Sequence, residues 1–284
     1  MALLIEVGTT NRFPNPLGAT GQPSGTVGYP TVPDATLAWS TVDLPPDPSV
    51  QRSLIVNVGA NANRGVSLLN GINVAPAAPA ENWSVSAWVK SSQPIKVSLV
   101  FRDAVNIFTA FTDKTTSGNG TWEWVTLSLV APASTVYIDP RWETTTTSGA
   151  AFILAGVQVE KQPIPTSLAA GSLGSGYSWA GTAHASASTR AATTISIPSA
   201  TFPASLAVRY SADGGYSLQH AYLTAPGNFG EYGTVAHSGG NIVISARKLG
   251  FLLEGVRADA RVLTSAEKAR LEAQESWSFA GLVG

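Results

Sequence analysis

Apolar side chains at every second position, in short sets cut apart by proline and glycine, constrain this chain more than any other feature. Leu54, Val56 and Val58 form one set, and Val66 and Leu68 follow the turn-rich GANANRG. Then come Val85, Ala87 and Val89; Ile95, Val97, Leu99 and Phe101; Phe108 and Phe111. Val125, Leu127 and Leu129, then Val136 and Ile138, then Ile153, Val157 and Val159 complete the series. Residues two apart share one face of a strand, so each set marks a strand with an apolar side. DLPPDP, APAAPA, SSQP and APAS lie between the sets and break strands. On the order of seven to nine strands at this spacing fold as two antiparallel sheets packed ~10 Å apart. The region is bracketed by NRFPNPLGATG, opening at Asn11, and VQVEKQ, Val157 to Gln162. An antiparallel β-sandwich is the expected fold.

Composition divides the rest. Residues 1–11 are an apolar arm whose Leu3, Leu4, Ile5 and Val7 either add as a strand to another sheet or start the sandwich itself. Residues 12–162 are the sandwich. Residues 163–192, rich in Ser, Ala and Gly, read as a linker that Tyr177 and Trp179 tie partly to a domain surface. Residues 193–284 form a second, smaller β-sandwich-like domain, with Ile195, Ile197, Leu206, Val208, Tyr210, Ile242 and Ile244 at strand spacing. Asp213-Gly214-Gly215 and Ser238-Gly239-Gly240-Asn241 mark its hairpins. Thr264-Ser265-Ala266-Glu267 is a capping box, which predicts a helix from about Ser265 to Glu275. The expected class is therefore all-β with one C-terminal helix.

Charged residues make up 12% of the chain and the apolar fraction is 44%, so packed cores are expected and disorder is not. A net charge of −1 with no basic block argues against nucleic acid as a partner. Cysteine is absent, which excludes disulfides and thiolate metal sites. The apolar run in MALLIEV is too short for a secretory signal, and no stretch reaches membrane-span length. Synthesis in a cytoplasm without export by the common route is expected, and no membrane insertion.

Tryptophans are the candidate binding residues. In SVSAWVK the aliphatics take the inner face, so Trp88 points outward; in TWEWVTLSLV the same reasoning sends Trp122 and Trp124 outward. Exposed indoles are costly, and sugar rings stack on them, with Arg102, Asp103 and nearby Ser and Asn to bond hydroxyls. Loops, the arm or a neighbouring subunit could instead cover the three rings. Trp39 shares a face with Leu37 and is expected in the core.

Asp103, Glu123, Asp139, Glu143 and Glu160 are the acids a glycosidase reading would draw on, but each reads better as a solvated or turn-capping group. His184, His220 and His237 fall in no ligand-spaced cluster and accompany no Gly-x-Ser-x-Gly elbow. No catalytic residue, cofactor or metal is expected.

Several of these segments together carry a resemblance. GTTNRFPNPLGATG, NWSVSAWVKSS, GTWEWVTLSL and FILAGVQVEKQ resemble the strands of jelly-roll, carbohydrate-binding-module-like domains over about residues 8–162. GYSWAGTAHASASTR is similar to a connector in minor tail proteins of bacteriophages that infect actinobacteria, where it joins the jelly roll to a concanavalin-A-like (laminin-G-like) domain. RADARVLTSAEKARLEAQ resembles that domain's ending. Two acids that help such jelly rolls hold structural calcium are missing, since Pro16-Leu17-Gly18 and Leu154-Ala155-Gly156 stand in their places.

The resemblance implies a non-enzymatic minor tail protein, in the distal tail of the virion. It would be homo-oligomeric with threefold symmetry, contacting other tail proteins and the glycan-rich envelope of the host. A purely architectural tail spacer is the alternative, and a glycan hydrolase or depolymerase a further one.

Overall fold

The computed structural model describes residues 3–6, 8–13, 35–59, 65–67, 76–146, 151–173, 175–181, 183, 187–212, 217–247 and 250–274. Leu68, Val7, the Pro16-Leu17-Gly18 and Asp213-Gly214-Gly215 segments, His184, Glu275 and most of GANANRG lie outside these residues. The chain is all-β with one short helix among the described residues, and it divides into two compact units. One comprises Thr9–Arg190; the other comprises Met1–Gly8 together with Ala191–Gly284.

The chain opens on β1 (Leu3–Ile5), which belongs to the second unit. In the first unit, β2 (Thr9–Asn11), β3 (Thr36–Ser40), β4 (Ser53–Asn57), β5 (Gly65–Ser67) and β6 (Asn82–Lys90) lead to the hairpin β7 (Ile95–Arg102) and β8 (Phe108–Thr115). β9 (Trp122–Val130), β10 (Tyr137–Thr144), β11 (Ala151–Glu160), β12 (Tyr177–Trp179) and β13 (Ser188–Arg190) complete it. One sheet has the order β5-β10-β7-β8. The other runs β12-β13-β2-β11-β4-β3, with β6 pairing β11 and β9 pairing β6.

Inward aliphatics close the two sheets on each other as the spacing predicts. Val56, Val66, Ile95, Leu99, Phe101, Ile138, Phe152, Leu154 and Val159 are all fully buried in one core. Leu37 and Trp39 pack against the same core.

β11 departs from strict alternation. Ile153 was expected inside with Val157 and Val159, but Phe152 and Leu154 are the buried residues there. The register shifts between Ala155 and Gln158, where Gly156 adopts φ +57°. A β-bulge adds one residue to a strand, so the inward positions change parity across it. Apolar patterning alone does not reveal where parity changes.

The strand pair that brackets the sandwich meets in space: Glu160 of β11 lies opposite Asn11 of β2. Asn11 is fully buried; its amide donates to the carbonyls of Val157 (3.1 Å) and Ala169 (3.2 Å), and its oxygen accepts from the amides of Phe13 and Val159 (each 3.0 Å). Glu160 accepts from the Thr9 hydroxyl and from the amide and hydroxyl of Thr166 (2.9 and 2.6 Å). Gln158 donates to the carbonyls of Thr166 (3.0 Å) and Ser167 (3.1 Å). The linker was expected over residues 163–192, but its described residues up to Arg190 belong to the first unit: Ala169 and Ala170 are fully buried, and β13 pairs with both β12 and β2.

The second unit contains β14 (Thr194–Pro198), β15 (Ser205–Ala212), β16 (Ser217–Leu223), β17 (Gly227–Phe229), β18 (Gly233–Ser238), β19 (Asn241–Ala246), β20 (Phe251–Asp259) and α1 (Ser265–Glu272). Its sheets have the orders β1-β20-β15-β16 and β14-β19-β18-β17 around a separate core of Leu206, Val208, Ile242, Ile244, Phe251, Leu253 and Val256. The arm is therefore divided: Leu3 to Ile5 add to this unit antiparallel to Leu253 to Phe251, while Thr9 to Asn11 form β2 of the first unit. Ser238 pairs with Asn241 across Gly239 and Gly240, at φ +58° and +73°, the left-handed pair a tight hairpin requires. The capping box of α1 forms as expected.

Candidate functional site

Antiparallel pairing of β6 and β9 places Trp88 opposite Trp124 and Lys90 opposite Trp122. Val85, Ala87, Val89 and Val125 are at most 2% exposed on the inner face, so alternation sends all three tryptophans to the outer face of this sheet. The Trp88 and Trp124 rings are tilted by 53° with centroids 5.2 Å apart.

Cover over the three rings is unequal. Trp88 and Trp122 pack among Val50, Ala155, Leu168, Ala170 and Trp179, so the sheet's outer face acquires a small apolar cluster of its own. The Trp122 indole N–H donates to Asp43 Oδ1 (3.2 Å), and the Lys90 ammonium closes on both Asp43 oxygens (2.9 and 2.7 Å). Trp124 remains 37% exposed. Its ring lies beside that of Trp88, which is half-buried against the cluster.

Arg102 does not join the tryptophans. It lies on β7 in the other sheet and is 5% exposed. Its Nε donates to Asp139 (2.8 Å), and Nη1 reaches Asn106 Oδ1 (2.7 Å). Arg141 donates to the same Asp139 oxygen through Nε (2.9 Å), and Ser67 bonds the other oxygen. Burial raises the Asp139 carboxyl above its ordinary pKa, against the lowering effect of Ser67 and Arg102. Arg102 was expected beside the tryptophans to bond sugar hydroxyls, but β7 lies in the opposite sheet.

The remaining acids named from sequence have structural partners. Asp103 Oδ1 accepts from the amides of Val105 (3.0 Å) and Ile107 (2.8 Å). Glu123 accepts from the Ser117 amide (2.9 Å) and hydroxyl (2.6 Å). Glu143 pairs with Lys96 at 3.0 Å. His237 Nε2 meets the Ser199 carbonyl at 2.9 Å, and His220 lies half-buried on β16, its pKa lowered chiefly by burial.

Among the described residues no group of three His, Cys, Asp or Glu is arranged to hold a metal. At the closing strand a structural calcium of the kind the resemblance raises does not fit, because Leu154 is in the core and Ala155 and Gly156 offer no side-chain oxygen. No described helix is long and apolar enough to cross a membrane.

Sequence reasoning missed one exposed group: Val105 (73%), Ile107 (60%), Phe108 (48%) and Phe111 (62%), all on the β7–β8 hairpin. The sequence sets Phe108 and Phe111 together on the apolar side of a strand, but that side is exposed. A bulge facing the Phe101–Arg102 step sets Phe108 opposite Arg102 and Phe111 opposite Val100, both outward.

No protein-family model and no curated protein matches the chain. Among solved structures it is similar to the enzymatically active domain of bacteriophage CBA120 tailspike protein 4, at 15% identity over 44% of this chain and 19% of that one, with a TM-score of 0.34. The CBM22-1 and GH10 modules of Clostridium thermocellum xylanase 10B match at 18% identity over 55% of this chain and 29% of that one, TM-score 0.40. The CBM22-1 xylan-binding domain of Paenibacillus barcinonensis Xyn10C matches at 15% identity over 55% of this chain and 96% of that one, TM-score 0.38. This chain thus spans under a third of the tailspike and xylanase chains.

Proposed function

We propose that this chain is a non-enzymatic minor tail protein of an actinobacteria-infecting phage, and that its first unit binds glycan of the host envelope. The observation that carries the binding reading is Trp124, an indole left 37% exposed beside the Trp88 ring, which packs against the outer-face cluster. A flat apolar surface with a fixed tilt suits the C–H face of a pyranose, and fixing it beforehand reduces the ordering cost of binding. The carboxylates named above are committed to ion pairs, turns and strand contacts, which supports a role without hydrolysis. Placement in the tail and a threefold assembly come from the resemblance of the connector and the strand motifs. In such an assembly linked copies raise avidity by roughly 10² to 10⁴ over one site.

Binding of the full chain to envelope polysaccharide purified from actinobacterial cells tests this reading. Trp124→Ala is expected to weaken retention by about tenfold or more, equivalent to ~1.4 kcal/mol. Unchanged retention in a folded variant overturns the platform. A second reading, an architectural tail element with no ligand, is favoured by the cover over Trp88 and Trp122; it predicts no retention by the wild type either.

A further inference from the structure

We infer that β8 and the β7–β8 turn form a self-association surface, on which a second copy of this chain adds its own β8 antiparallel to the first. This goes beyond the glycan reading and does not depend on it. Two independent observations meet on one strand. Among the described residues β8 pairs with β7 alone, at the end of its sheet, and none of its eight residues is buried. An unpaired edge of this kind is a template for another strand. Beside that edge, Val105, Ile107, Phe108 and Phe111 are each about half exposed or more.

The surface is held ready. The Asp103 carboxylate accepts from the amides of Val105 and Ile107, and the Asp103 amide donates to the Ile107 carbonyl at 3.0 Å. Asn106 takes φ +69° and is gripped by Arg102, while the guanidinium carbons of Arg102 and Arg141 stand 4.3 and 5.0 Å from the Phe108 ring centroid. A turn ordered in this way loses little freedom on docking.

A second copy is the occupant this chemistry fits. Val105 and Ile107 are aliphatic and offer no planar ring for a sugar. The four side chains expose on the order of 400 Å², a large part of the ~800 Å² each partner contributes to a standard interface. The exposed charges at the far end of the strand, Asp113 and Lys114, cancel, so two copies meet without net like-charge repulsion. A two-fold contact uses the same patch twice, as edge-to-edge pairing of one strand requires.

The chain has no cysteine, so a single introduced thiol reports this contact without interference. Full-length Phe111→Cys is expected to oxidise to a disulfide-linked dimer far faster than Val42→Cys, a control at 92% exposure. Sedimentation of the wild type is expected to show a species of twice the basal mass, monomer or trimer, that dissociates on dilution, and Val105→Asp with Phe111→Lys should weaken it by about tenfold or more. Both positions are exposed, and circular dichroism checks that the variants fold. Equal crosslinking at the two cysteine positions, or a wild type whose mass does not double at any concentration, overturns the inference. So does loss of polysaccharide retention in the double variant with its mass unchanged, which would make the patch a glycan surface.

Discussion

Trp88 and Trp124 are cross-strand neighbours, yet their surroundings assign them different work. Trp88 is half-buried between the outer-face cluster and the Trp124 ring, so Trp88→Ala is expected to cost about 2–4 kcal/mol of stability in urea unfolding. Trp124 projects from the edge strand β9, and Trp124→Ala should lower glycan retention with a stability change of about 1 kcal/mol or less. Equal losses of stability at the two positions would mean that Trp124 serves packing alone. The sequence made both rings legible as outward through the inward Val85, Ala87 and Val89. It could not show which would be roofed, because the cover comes from Val50 and Leu168, distant in sequence and without periodic signal. Arg102 was placed beside them for want of strand order, which alternation does not encode.

At the scale of elements, alternation specified strands well and bulges poorly. Gly156 is where β11 changes parity, and a Cβ there would meet only ordinary contacts, the nearest at 3.4 Å from Val50. The cost of Gly156→Ala is therefore conformational, about 1–2 kcal/mol by urea unfolding, for a left-handed backbone position. A smaller effect would mean the bulge relaxes. The capping box was legible because its signal is local: four residues suffice. The clasp of Asn11, Gln158, Glu160 and Thr166 was half legible, since its motif was visible and Tyr177 and Trp179 pointed to partial anchoring of the Ser/Ala/Gly segment, but nothing in that segment marked Thr166, Ala169 and Ala170 as its buried part.

Helix α1 offers a pH test. Tyr222 donates to the Lys268 carbonyl at 3.1 Å, and burial, with Glu272 nearby, pushes its hydroxyl up to about 12 from an ordinary 10.0. A phenol with a raised folded-state pKa stabilises the fold fully below the unfolded value, and that contribution is lost as pH rises through the folded one. Stability of the second unit should fall between about pH 10 and 12, and Tyr222→Phe should remove that part of the slope. An unchanged slope in the variant contradicts the assignment.

For the whole molecule, the arm teaches most. Leu3, Leu4 and Ile5 suggested a strand, but only pairing with β20 shows that the chain begins in one unit, builds the other, and returns. The two cores share no residue, so calorimetry is expected to resolve two transitions. Removing residues 1–8 should lower the transition of the C-terminal unit and leave that of residues 9–190 in place. A shift in the other transition would place the arm's contribution elsewhere.

Hydroxyl-radical footprinting of the full chain, with and without actinobacterial envelope polysaccharide, tests the central claim most directly. Saturating glycan is expected to protect Trp124 strongly, while Val105 and Phe111 keep their reactivity. Undiminished oxidation of Trp124 in the presence of bound glycan would contradict it.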